Sequence, residues 1–166
     1  NTTADNNTAV GRDALYANTT GHSNTALGNG ALDANTTASY NVGVGIDALG
    51  KNTTGTGNCA VGGFALEDNV DGDNNTGIGR NALTNNTSAD NNTAVGYNSL
   101  DANTTGSHNS ALGVDALGAN TTGSSNIAIG FNALKDNTTT NQNVAIGGNA
   151  LQSNTAAVNV AIGADS

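Results

Sequence analysis

Small apolar and polar side chains alternate along this chain in a fixed order that repeats. The phrase Asn-Thr-Ala-Val-Gly opens at Asn7 and returns with small changes at a constant interval as far as Asn143, and the last interval, to Asn159, is one position shorter. In outline the unit reads N-[T/V/I]-A-[V/L/I]-G-x-x-A-L-x-x-N-T-T-G-x-x. We number its positions 1 to 17. The pattern predicts one repeat domain over residues 1–166, with repeats that begin at residues 7, 24, 41, 58, 75, 92, 109, 126, 143 and 159.

The repeat is too short for a helical pair and lacks the apolar spacing of an amphipathic helix. Positions 1 to 5 predict a short strand that ends at the Gly of position 5, with β-branched residues at positions 2 and 4 on one face. Ala-Leu at positions 8 and 9 predicts a second extended segment, and Asn-Thr-Thr-Gly at positions 12 to 15 predicts a turn. Two strands and two turns then make one coil. About ten such coils, stacked at about 4.8 Å, predict an all-β fold, a parallel β-solenoid (β-roll) roughly 48 Å long.

The apolar positions suggest which side chains fill the coil. Position 4 is always Val, Leu or Ile and position 9 is always Leu, so these two rows are predicted to form the interior stripe. Position 3 would then point outward, although it accepts only Ala or Gly. Two explanations remain open for this restriction: a thin coil whose opposite wall comes close, or contact with another chain.

Asparagine occupies position 1 of every repeat and position 12 of every repeat that reaches it. Stacking would place these side chains above one another as two ladders in which each amide bonds to the next. The predicted ladder residues are Asn7, Asn24, Asn41, Asn58, Asn75, Asn92, Asn109, Asn126 and Asn143 at position 1, and Asn18, Asn35, Asn52, Asn69, Asn86, Asn103, Asn120, Asn137 and Asn154 at position 12.

Most of the asparagines at position 12 also open an Asn-x-Thr/Ser sequon, the acceptor for N-glycans. Asn69 and Asn154 keep the Asn without the sequon, which favours a structural role in the turn over glycosylation. The candidate acceptors are Asn18, Asn35, Asn52, Asn86, Asn103, Asn120 and Asn137, together with Asn1.

Composition limits the classes of partner that the chain is expected to bind. The net charge is −9, which disfavours nucleic acid and anionic lipid, and no apolar run approaches the roughly 18 residues of a membrane span. We therefore expect no nucleic-acid partner and no membrane insertion. Because the chain opens at position 12 and closes at position 8, we expect either an excised piece of a longer solenoid or copies that add head to tail.

Candidate catalytic and metal-binding residues are few. His22 and His108 lie in the variable turn about 24 Å apart along the rod, and Cys59 is predicted to be a small buried side chain. No Ser-His-Asp grouping recurs, so neither an enzyme nor a cofactor is expected. Acidic side chains recur at position 7 and in the turn at residues 70–74, where solvated turn acids are favoured over a calcium site; the position 7 acids are Asp13, Asp47, Asp115 and Asp165.

Position 6 varies most in character from repeat to repeat. Tyr97, Val114 and Phe131 follow one another there in three consecutive repeats. Exposed apolar side chains in a row would be a candidate contact surface, and the alternative is that they cover a corner of the coil.

The phrase NTAVGxxALxxNTTGxxNTAxG resembles the repeats of bacterial surface adhesins and phage tail fibres. Asn-Val-Ala-Ile-Gly at 143–147 and 159–163 is similar to the head repeats of trimeric autotransporter adhesins. This resemblance implies a left-handed parallel β-roll, often a homotrimer, displayed extracellularly at the cell surface.

From the repeat and this resemblance we expect a structural segment of an extracellular fibre, filament or surface adhesin. Its expected partners are copies of itself, in a homotrimer or a head-to-tail filament, and a cell-surface glycan or receptor. The alternative is an ice-binding or glycan-binding solenoid module. Ice binding is the weaker of these, because the Thr pair at positions 13 and 14 lies in a turn, where neighbouring side chains diverge.

Overall fold

The computed structural model describes residues 3–166, which form an all-β parallel solenoid in which each repeat builds one coil. Each coil contributes one three-residue strand to a single ten-stranded sheet, in which strand order follows chain order. No helix is present within residues 3–166, so none there is long and apolar enough to cross a bilayer. The strands are β1 Thr8–Val10, β2 Thr25–Leu27, β3 Val42–Val44, β4 Cys59–Val61, β5 Thr76–Ile78, β6 Thr93–Val95, β7 Ser110–Leu112, β8 Ile127–Ile129, β9 Val144–Ile146 and β10 Val160–Ile162.

The register of the sheet places each repeat position above the same position of the next coil. Ala26 pairs with Gly43, for example, and Val144 pairs with Val160 although the last step is one residue short. The missing residue comes from the turn that follows position 12. In coil 9 the side-chain amide of Asn154 donates to the carbonyl two residues on, whereas in coil 8 that of Asn137 donates three residues on. The turn therefore absorbs the deletion and the strands stay in register.

The direction of the strand side chains is the reverse of the prediction. Position 3 is fully buried, as at Ala26 and Ala60, whereas positions 2 and 4 face outward. The predicted interior stripe at position 4 is therefore wrong. The interior is too narrow for a larger side chain, because a Cβ atom added to Gly43 would lie 3.3 Å from Leu32 Cγ and 2.9 Å from the Ala48 carbonyl oxygen. Of the two explanations for small residues at position 3, a thin coil is thus confirmed.

The predicted role of Leu at position 9 in the core is confirmed. These side chains are buried from coil to coil and pack with the Ala residues of positions 3 and 8; the fully buried ones are Leu32, Leu49, Leu66, Leu83, Leu100, Leu117 and Leu134. The core is a single stack that runs the length of the rod. An interior coil alone buries one Leu and one or two Ala from these positions, so its stability depends on its neighbours above and below.

The wall that carries Leu is not the second strand that the pattern predicted. Every Leu of position 9 has a left-handed backbone, with φ between 49° and 56°. The Leu32 N–H donates to the Ala48 carbonyl of the next coil, and the Asn35 N–H returns to the Leu32 carbonyl across a tight turn. Neighbouring coils are therefore hydrogen-bonded here too, but the chain curls at each step where a strand would stay extended.

The Gly at position 5 is required by both conformation and space. Gly28 has φ of +142°, and a Cβ atom there would lie 2.3 Å from the carbonyl oxygen of Gly45 in the next coil. Any side chain would clash with that backbone, which explains why all ten repeats have Gly at this position. This residue ends each strand at the same point and keeps the outward face uniform.

Candidate interaction surface

The Asn row at position 12 forms an amide-to-amide ladder inside the coil. Asn52 is fully buried, and its Nδ2 atom donates to Asn35 Oδ1 in the preceding coil at 3.1 Å and to the Gly55 carbonyl at 2.9 Å. The same pair of bonds recurs at Asn69, Asn86, Asn103 and Asn120. This row links neighbouring coils by hydrogen bonds and closes the turn at positions 12 to 15.

The Asn row at position 1 is bonded differently from the predicted amide-to-amide ladder. Asn41 Nδ2 donates to the Gly55 carbonyl at 2.8 Å, and Asn41 Oδ1 accepts from the backbone N–H of Asn58 in the next coil at 2.8 Å. Within this row, as far as residues 3–166 describe it, side-chain amides contact one another only at the longer distance of 3.2 Å, among Asn92, Asn109, Asn126 and Asn143. Both Asn rows thus converge on the carbonyl of position 15 and hold the corner of the coil.

At position 12 this geometry is incompatible with N-glycans on the folded chain. Both hydrogens of Asn52 Nδ2 are donated within the protein, and N-glycosylation replaces one of them with a sugar. The other candidate acceptors within the described residues (Asn18, Asn35, Asn86, Asn103, Asn120 and Asn137) are buried as well, and Asn1 lies outside the described residues. The structural role of these Asn residues explains the sequon-like pattern.

A third ladder, which the sequence analysis missed, runs along position 16. Asp73 Oδ1 accepts from the Thr56 N–H at 2.7 Å, and the Asp73 N–H donates to Asp90 Oδ1 at 2.7 Å. Ser107 Oγ continues the row by accepting from the Asp90 N–H at 3.0 Å. The signal was the short polar side chain that position 16 carries in successive repeats: Ser39, Thr56, Asp73, Asp90, Ser107, Ser124 and Asn141. The acid at Asp73 in the turn at 70–74 therefore belongs to this ladder.

The remaining candidates for chemistry are dispersed. Within residues 3–166 no three His, Cys, Asp or Glu side chains come together as metal ligands. The His22 ring meets the edge of Tyr40 at 4.9 Å between centroids, and His108 is exposed five coils away. Cys59 was predicted to be buried, but it is half-buried on the outward face because position 2 points away from the core.

One cavity of about 340 Å³ opens where Gly50 provides no side chain at position 10. Asp33, Asp47, Lys51 and Glu67 line it. Burial raises the pKa of Asp33 and of Glu67, and the charge of Asp47 adds to both shifts. The carboxylates of this wall thus destabilise one another near neutral pH.

One surface feature runs the length of the rod: the outward face of the sheet, which we define by positions 2 and 4 of all ten coils. Position 4 is aliphatic throughout and mostly exposed; Leu112 is 50% exposed and Ile162 is 71% exposed. The strip from position 2 to position 6, which is the face together with the position 6 row that borders it, spans ten strand spacings of about 4.8 Å and four residue rises of about 3.3 Å, or about 600 Å². The aliphatic row consists of Val10, Leu27, Val44, Val61, Ile78, Val95, Leu112, Ile129, Ile146 and Ile162.

Position 6 borders this face and extends it in coils 6 to 8. Tyr97, Val114 and Phe131 are exposed there, at 44%, 41% and 55%. None of the 13 acidic residues occupies position 2, 4 or 6, although the chain carries a net charge of −9. The outward face is therefore rich in aliphatic side chains and free of negative charge, while the acids lie on the other walls of the coil.

Comparisons with protein-family models, with curated proteins and with solved structures found no match for this chain.

Proposed function

We propose that this chain is a structural segment of an extracellular fibre or surface adhesin, in which copies associate through the outward face of the sheet. The observation that carries the proposal is the aliphatic row at position 4, which occupies all ten coils and is mostly exposed. The likeness of the repeats to those of surface adhesins and phage tail fibres supports the extracellular location.

The size of the face supports association over a solvent-facing role. Together with the position 6 row the face forms a strip of about 600 Å², which approaches the roughly 800 Å² that each partner buries in a stable interface. Burial of the aliphatic part of this strip is favourable by about 25 cal/mol per Å² before the losses of association are counted. The rigid stacked core keeps the face ordered before binding, which lowers those losses.

Sedimentation equilibrium of the purified chain tests the proposal. We expect a particle that is an integral multiple of the 16.2 kDa chain. The double variant Ile78→Thr/Ile129→Thr keeps β-branched residues on the strands but removes apolar surface from the face, and it should weaken association by about a hundredfold, at roughly 1.4 kcal/mol per side chain.

The control is Val70→Thr, which removes an exposed aliphatic side chain from position 13, outside the face, and restores the residue usual there. This variant should leave the particle mass unchanged. A wild-type chain that stays a 16.2 kDa monomer at millimolar concentration would refute the proposal. Filaments much longer than one rod would indicate growth through the ends.

A second candidate, glycan binding, is favoured by the exposed row of Tyr97, Val114 and Phe131. Aromatic rings two coils apart, about 9.6 Å, present two apolar faces to successive sugars of an extended chain. Affinity electrophoresis in soluble β-linked glucan would detect it. Retardation that is lost in Tyr97→Ala and Phe131→Ala but kept in Tyr16→Ala would support glycan binding, and equal mobility of all four proteins with and without glucan would exclude this ligand.

A further inference from the structure

The two edges of the outward face carry charges of opposite sign. The chain enters each strand through positions 16 and 17 and leaves it through positions 5 and 6, so these rows border the face on opposite sides. The position 6 edge carries Arg12 and Arg80 and no acid. The position 16 edge carries Asp5, Asp73 and Asp90 and no Lys or Arg.

Most of these charges are left out of the ion pairs that the described part of the chain forms. The ion pairs within residues 3–166 involve Arg12 with Asp13, Lys51 with Asp68, and Lys135 with Asp115. Arg80, Asp5, Asp73 and Asp90 take part in none of them. The pair that Arg12 makes is with its own neighbour and its side chain is 81% exposed, so it is weak and readily exchanged.

Two carboxylates of the position 16 edge lie close together, so a positive charge beside them would be favourable. Asp73 and Asp90 occupy consecutive coils of the position 16 ladder, and each uses its Oδ1 atom to accept a backbone N–H. Their carboxylates are therefore fixed about one strand spacing, roughly 4.8 Å, apart. Arg80 lies 6.0 Å from the centroid of the Phe64 ring, which positions its guanidinium on the opposite edge.

The charges on the two edges share one spacing. Arg80 lies four repeats after Arg12, and Asp73 likewise lies four repeats after Asp5. Each Arg follows its Asp by seven residues, so Asp stands just before the coil to which Arg belongs and lies close to the same level of the rod. Each pair is separated from the other by about 19 Å along the rod.

We propose that neighbouring copies pack parallel and in register, with Arg12 and Arg80 of one copy paired with Asp5 and Asp73 of the next. When the outward faces of two copies meet across a rotation axis parallel to the rod, the position 6 edge of each copy adjoins the position 16 edge of its neighbour. Both ion pairs can then form at once. An antiparallel arrangement brings like edges together and matches neither pair. This inference rests on the proposed association through the outward face and adds its direction and register.

A cross-linking experiment on full-length variants tests direction. In a Cys59→Ser background, Thr25→Cys places one thiol in coil 2 of the face. In a parallel, in-register assembly these thiols lie at one level, and a short bismaleimide should join them efficiently. In an antiparallel assembly coil 2 of one copy faces coil 9 of the other, so the two coil 2 thiols lie about 34 Å apart along the rod. Cross-linking should then occur only in a mixture of Thr25→Cys copies with Val144→Cys copies. That mixed product would overturn the inference.

A double-mutant cycle tests the ion pair. Asp73→Asn retains the Oδ1 acceptor of the ladder but removes the charge, and Arg80→Gln removes the opposite charge. Each single variant should raise the dissociation constant by about tenfold at low salt, and the double variant should bind no more weakly than either single one. Asp136→Asn, on another wall, is the control and should change nothing. Additive losses in the double variant would refute the pairing.

The outcomes separate this inference from the proposed function. A monomeric wild type refutes association altogether. An associated wild type with antiparallel cross-links, or with no coupling between Arg80 and Asp73, refutes only the parallel, charge-matched arrangement.

Discussion

The left-handed backbone of the core Leu leads to a sharp prediction for Leu83→Ile. Leu83 is fully buried in the middle of the rod and has φ of 56°. An Ile of equal volume in an ordinary core costs less than about 1.5 kcal/mol. Here the branched Cβ must also adopt a left-handed conformation, which adds about 1–2 kcal/mol. We expect a total loss of about 2–3 kcal/mol in the free energy of unfolding, measured by urea denaturation with circular dichroism.

Leu83→Met is the matched control, because Met fills a similar volume without a branch at Cβ. Its loss should stay below about 1.5 kcal/mol. Equal losses for Ile and Met would show that backbone conformation does not restrict position 9. The comparison matters because all nine repeats that reach this position have Leu, whereas position 4 exchanges Val, Leu and Ile freely.

Three further predictions concern polar groups, each read from thermal or urea unfolding. Asn132 Oδ1 is buried without a donor because the residue before it in the position 7 row is Asp115, so Asp115→Asn should stabilise the chain by about 1 kcal/mol. Asp47→Asn also removes a charge beside another Asp but precedes Phe64, which has no acceptor, and should gain less. Burial raises the folded-state pKa of Asp33, Glu67 and Asp101, so their contribution to the free energy of unfolding is fully present below the unfolded pKa near 4 and is lost as pH rises through the folded pKa. The melting temperature should therefore rise on acidification from pH 7. If the triple variant Asp33→Asn/Glu67→Gln/Asp101→Asn kept the same dependence of melting temperature on pH, this explanation would be wrong. Asn86→Ala should cost about 2–4 kcal/mol because it breaks three buried hydrogen bonds, while exposed Asn85→Ala should cost about 1 kcal/mol or less; similar losses would argue against the ladder.

The period of the sequence was enough to predict the parallel solenoid, the Leu core and the importance of both Asn rows, because each depends on identical residues meeting between coils. The orientation of the strand was not predictable by the same argument. Burial is usually assigned to the larger apolar residue, which favours Val or Ile at position 4 over Ala at position 3. The narrow interior reverses that choice, since the Leu of the preceding coil already fills the space beside Gly43. The position 16 ladder was missed because its acceptors differ in chemistry and share only short length and a polar atom.

Because position 4 faces outward, burial in the core does not explain why this row is always aliphatic. A strand that faces solvent needs β-branched residues for its conformation, and Thr meets that need as well as Val or Ile. Position 2, on the same face, does carry Thr or Ser in half of the repeats, whereas position 4 carries Val, Leu or Ile in all ten and never Thr. Folding of the coil does not impose this difference, because neither row contributes to the core. A second apolar surface that lies closer to position 4 than to position 2 would impose it, which is the arrangement expected when copies converge on a common axis.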